Sequence, residues 1–159
     1  MENRLKTLAF IILSVLVISC SSDPEIFPNE ISGLQRGRKL SGEEAKQFVN
    51  KLHINTVTNE KNEIAFYESI RGRAIIYVTF YSYDLDANQN LIRMAKKISP
   101  QISVFSKGNF IELSGKRIYH TLGMGQEHFV FVQKKMLFWV SVDIGLAQKF
   151  MNSYLQFLL

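Results

Sequence analysis

The stretch "KRIYHTLGMGQEHFVFVQKKMLFWVSVD", residues 116–143, decides the fold. It is too long for one strand, and turn residues cut it at Gly123-Met124-Gly125 and again at Lys134-Lys135. Between the cuts lie β-branched and aromatic runs of ordinary strand length. A chain written this way doubles back on itself as an antiparallel meander. "NFIEL" (109–113) adds a strand through Ser114-Gly115, and a two-residue turn there sets Glu112 opposite Arg117. The same logic at Lys134-Lys135 sets Phe131 opposite Phe138 and Phe129 opposite Val140 on one side, with Val130 opposite Trp139 on the other. Lysine suits the positive φ of such a turn poorly, so a shifted register is the alternative there.

Working outward, "EIAFYESIRGRAIIYVTFYSY" (63–83) is β-rich and broken at Arg71-Gly72, which predicts a hairpin. Ahead of it, Ser41 and Glu44 have capping-box spacing, and Ala45, Phe48, Val49 and Leu52 form a helical apolar stripe. A second helix, capped by Asp84 or Asp86, carries Ala87, Leu91, Met94, Ala95 and Ile98. A third, capped by Asp143, carries Ala147, Phe150, Met151, Tyr154, Leu155 and Leu158. The order α-ββ-α-ββββ-α predicts an α+β fold: a mainly antiparallel sheet of about six strands covered on one face by helices. The last two helices share their spacing and each follows a hairpin, an echo that duplication or coincidence would explain.

The 159 residues fit one domain, and 47% apolar content is enough for a core of its own. The net charge of +5 is modest and lacks the dense basic stripes of nucleic-acid readers, so no nucleic acid is expected. A lone cysteine closes no internal disulfide, and no Cys/His spacing predicts a metal site or a cofactor.

The N-terminus has its own signature. Arg4 and Lys6 precede an apolar run, Leu8–Ile18, that is about half the length of a membrane span and turns polar at "SCSSDPE". Basic start, short apolar stretch and small residue at Ser19 predict a cleaved export signal; a buried N-terminal helix is the alternative. "VISC", residues 17–20, resembles the lipobox of bacterial lipoproteins, with Val17 where Leu is commonest. The resemblance implies cleavage after Ser19, a diacylglyceryl thioether and N-acylation on Cys20, and, with Ser21 next, residence at the outer membrane facing the periplasm. The chain then divides into a signal peptide (1–19), a tether (20–39) and one periplasmic domain (40–159). Ile26, Phe27, Ile31 and Leu34 of the tether are candidates to dock on the domain. The ending "GQEHFVF…LFWV" also resembles that of uncharacterised bacterial envelope lipoproteins, and no function comes with it.

Chemistry is sparse. His120 and His128 flank the Gly123–Gly125 loop, close enough in a meander to hold a base or a metal, but no carboxylate stands at a triad-like spacing. "GMGQEH" is no dinucleotide fingerprint, because a strand follows it where a helix is needed. Two features suggest binding. Tyr77, Tyr81 and Tyr83 share a strand side by period two, and with Tyr119 and Trp139 they could line an open sheet face for a polysaccharide or a protein. Lys116 and Arg117 should share one sheet end with Lys134 and Lys135, a cationic rim suited to anionic lipid. The sequence therefore predicts a lipid-anchored, non-catalytic envelope protein that binds a partner protein or polymer, with an enzyme using His120 and His128 as the alternative.

Overall fold

The register of residues 126–143 sets the rest of the architecture. In a computed structural model, which describes residues 25–51, 59–98, 103–106 and 108–159, Gln133 pairs with Met136 across the two-lysine turn. Phe131 thus faces Phe138, Phe129 faces Val140 and Val130 faces Trp139, as the spacing predicts. Lys134 adopts φ +52° to close the turn, so the register holds at the expense of a left-handed backbone on an ill-suited residue.

The elements are β1 (Glu30–Ile31), β2 (Leu34–Ser41), α1 (Gly42–Lys51), β3 (Lys61–Ser69), β4 (Gly72–Phe80), α2 (Asp84–Lys97), β5 (Asn109–Leu113), β6 (Lys116–Gly123), β7 (Gln126–Gln133), β8 (Met136–Asp143) and α3 (Ala147–Phe157). All eight strands form one antiparallel sheet in the order β1-β2-β3-β4-β8-β7-β6-β5. The expected sheet of about six strands in the order α-ββ-α-ββββ-α, covered on one face, is corrected in two respects.

First, β1 and β2 come from the segment expected to be a tether. Ser32-Gly33, with φ of 54° and 84°, turns the chain so that Ile31 pairs with Leu34, and β2 then runs along β3. Ile26, Phe27, Ile31 and Leu34 are all buried in the main core, so the folded unit takes in residues well before position 40. Tyr67 donates its hydroxyl to Pro28 O and Tyr154 donates to Ile26 O, locking this N-terminal strap across the sheet.

Second, helices cover both faces. Side chains alternate along each strand, so one face carries Ala65, Ile76, Val140 and Phe131, and the other Ile64, Tyr77, Trp139 and Val130. The first face packs under α3 through Phe150, Met151, Tyr154 and Leu155. On the second, α1 covers Leu40 and Ile64, and α2 covers Val130 and Leu137. The aromatic richness of β4 and β8 thus reflects burial on both sides, which the hydrophobic pattern alone does not separate from burial on one.

Local caps also depart from expectation. Tyr83, not an aspartate, occupies the N-cap of α2, and no side chain bonds the helix end there. Asp143 does not cap α3: its carboxylate accepts the Arg73 backbone N–H and the Gln126 amide, at 2.8 and 2.9 Å, clasping β4, β7 and β8 at one end of the sheet.

Candidate functional site

The two histidines that could have made an active site are separated by the sheet. Met124-Gly125 forms a two-residue turn, so Thr121 lies opposite His128 and His120 lies opposite Phe129. His120 therefore points to the α3 face, where it stacks on Phe129 and meets Glu127 at 3.0 Å. His128 points to the α2 face. His53 lies outside the described residues.

Around His128 every polar atom has a partner. Gly123 O, 2.9 Å from Nε2, can only accept, so Nε2 carries the proton and Nδ1 accepts. The Ser141 hydroxyl donates to Nδ1 at 2.9 Å, and the Trp139 indole N–H is shared between Ser141 Oγ and Nδ1 at 3.1 and 3.2 Å. Phe105 closes over both rings edge-on, made possible because Gly123 has no Cβ to meet its ring. Only 4% exposed, His128 has its pKa lowered, chiefly by burial, and stays neutral. A neutral, fully bonded imidazole is a structural element of the core. Among the described residues no group of three or more His, Cys, Asp or Glu side chains is placed to hold a metal.

The aromatic residues do not form an open face. Tyr119 is 5% exposed and donates to Ile98 O, at the end of α2. Trp139 and Tyr81 pack on the same cluster, while Tyr77 packs under α1 against Phe48. Burial raises the Tyr77 and Tyr81 hydroxyls to about 12. Of the five, Tyr83 alone is well exposed, beyond the strand end. The expected stacking platform is therefore covered by helix packing, with Tyr119 buried and Tyr77, Tyr81 and Trp139 half-buried.

The four basic residues, Lys116, Arg117, Lys134 and Lys135, lie at the same end of the sheet, where the β5–β6 and β7–β8 turns fall. Arg117 lies over the Phe110 ring, 4.1 Å from its centroid. Lys134 and Lys135 border a cleft of about 670 Å³ on the α3 face, together with Lys39 and Lys61, which sequence reasoning missed. Ile26, Phe27, Phe80 and Met136 give the cleft an apolar lining. Glu63 fixes two of the cations, with Lys39 at 2.9 Å and Lys61 at 3.0 Å, and each ammonium also lies over a ring, Phe27 and Phe80 respectively. Burial raises the Glu63 pKa, but the bonds and charges of both lysines outweigh that and leave it lowered. Lys39 and Lys61 were legible only through strand pairing, since Lys39 lies beside Ala65 and Lys61 beside Phe80.

No family model matches the chain. No curated protein matches it either. A crystal structure described as a GTP binding regulator from Thermotoga maritima is similar over 78% of this chain and 77% of its own, at 15% identity and a TM-score of 0.45. A likeness of that degree carries no argument about this protein.

Proposed function

We propose that this is a lipid-anchored, non-catalytic protein of the bacterial cell envelope, at the periplasmic face of the outer membrane, whose domain docks a protein partner. The anchor is supported by "VISC" at residues 17–20, which, like the signal peptide, lies outside the described residues. A binding role is supported by one observation above the others. Ile70, Val104, Leu122, Met124 and Ile144 are all exposed, and all stand at the sheet end where the β3–β4 and β6–β7 turns meet the exit of β8. Single exposed aliphatics are ordinary, but several gathered on adjoining turns match the apolar centre of a protein interface. Tyr119 is buried, and Tyr77 and Trp139 are half-buried in the packing beneath α1 and α2, which counts against the open ring platform a polysaccharide would favour. The enzyme reading loses its shared site, because His120 and His128 face opposite ways.

Two experiments test the two halves. Cys20→Ala should abolish incorporation of labelled palmitate; persistent labelling removes the anchor. A photocrosslinking amino acid at Met124 or Ile144 in intact cells should capture a discrete protein adduct. Adducts that form only from Lys149, a control on α3, would refute the apolar end as the docking surface.

A further inference from the structure

We propose that the lysine-bordered cleft is a bilayer-facing site for anionic phospholipid headgroups, which fixes the orientation of the domain on its membrane. The inference rests on the lipid anchor at Cys20 proposed above. Its first support is covalent reach. Cys20 is five residues before Glu25, a span of at most about 18 Å even when fully extended. Glu25, Ile26 and Phe27 line the cleft itself, beside Lys134 and Lys135. An acyl chain on Cys20 therefore holds this end of the sheet, and not the apolar end, against the bilayer.

The second support is charge. Glu25 is bonded to Arg36 and Glu63 to Lys39 and Lys61, which leaves Lys134 and Lys135 with Asp84 as the remaining carboxylate on the cleft. Among the described residues neither Lys134 nor Lys135 makes an ion pair, and both are exposed. The lining is thus net positive. Phosphate oxygens would meet ammonium groups held in place by Glu63, while the half-buried Phe80 and Met136 offer an apolar surface to the glycerol and upper acyl region.

The test is an amine-acylation footprint of the full chain, extracted from bacterial membranes and reconstituted into vesicles. One set is phosphatidylcholine alone, the other equal parts phosphatidylcholine and phosphatidylglycerol. Lys134 and Lys135 should be protected severalfold more in the anionic vesicles, while Lys149 on α3 reacts equally in both. A Lys134→Gln/Lys135→Gln pair should lose the preference for anionic vesicles by about fivefold per charge removed, with an unchanged melting temperature showing that the fold is intact. Equal protection in both vesicle types would mean that the anchor alone brings this end close, and headgroup recognition falls. Protection produced by inorganic phosphate without vesicles would make the cleft a site for a soluble anion and overturn the membrane assignment. Vesicle flotation separates the two levels: a chain that fails to float refutes the anchor, whereas a chain that floats without anionic protection refutes only the headgroup site.

Discussion

At His128 a backbone carbonyl decides the protonation state of a side chain. Gly123 O requires a proton on Nε2, Ser141 and Trp139 require a lone pair on Nδ1, and burial opposes a second proton. The folded pKa lies below the ordinary 6.5, so the unfolded chain takes up the proton first as pH falls. Stability from this group is full above about pH 6.5 and declines as pH drops below it toward the folded value. Glu63, whose pKa is lowered from 4.5, loses its contribution only at more acid pH, so the two windows are distinct. Between about pH 7.5 and 5.5, the melting temperature of the native chain should fall further than that of His128→Gln, as followed by circular dichroism. Equal falls would place the titrating group elsewhere. Both histidines are visible in the sequence, but the face of each depends on a one-residue choice of turn. Treating Gly123–Gly125 as a loop leaves that choice open, whereas a turn at Met124-Gly125 alone sends them to opposite sides.

At the scale of elements, the strap Glu25–Pro28 and β1 show where periodicity stops being informative. β1 has two residues, too few for any period, and its neighbours include a proline, so local composition reads as linker. The signal was still present: Ser32-Gly33 repeats the Ser114-Gly115 dipeptide, and the two serines adopt φ of 54° and 50° in equivalent turns. The docking of Ile26, Phe27, Ile31 and Leu34 is where apolar character within a polar stretch was legible. Phe27 is 1% exposed and sits among core residues while also lying beneath the Lys39 ammonium. Phe27→Ala should cost about 3–5 kcal/mol in urea unfolding, the penalty of a core aromatic. A cost below about 1 kcal/mol, the range of surface positions, would return the segment to the status of a tether. The helices were more legible than their caps, because an apolar stripe spans the whole element, whereas a cap turns on one side chain and Asp143 has stronger calls on it from Arg73 and Gln126.

Across the whole molecule, the sheet order places β1-β2-β3-β4 beside a mirrored β8-β7-β6-β5, which makes the echo between the last two helices look like duplication. The helices decide against it. A two-fold relating antiparallel β4 to β8 must stand perpendicular to the sheet, and such an axis keeps a helix on its own face. Yet α2 packs with Val130 and Leu137, and α3 packs with Phe131 and Val140, on opposite faces. The same alternation explains why the sequence predicted a one-sided sheet: strands buried on both sides read as continuous apolar runs, with no polar face to reveal the second layer. The cleft was illegible for a related reason. Its four lysines come from β2, β3 and the β7–β8 turn, and only the central pairing of β4 with β8 brings those segments to one place.

The N-terminal strap also has a mechanical reading. A pull on the chain ahead of Glu25 would reach the body of the protein first at Ile26, Phe27 and Pro28, which are held by two tyrosine hydroxyls from different elements. Tension would be shared between β3 and α3 before it could peel β1 from β2. A leash fastened through the core transmits force to the middle of the fold and spares its edge.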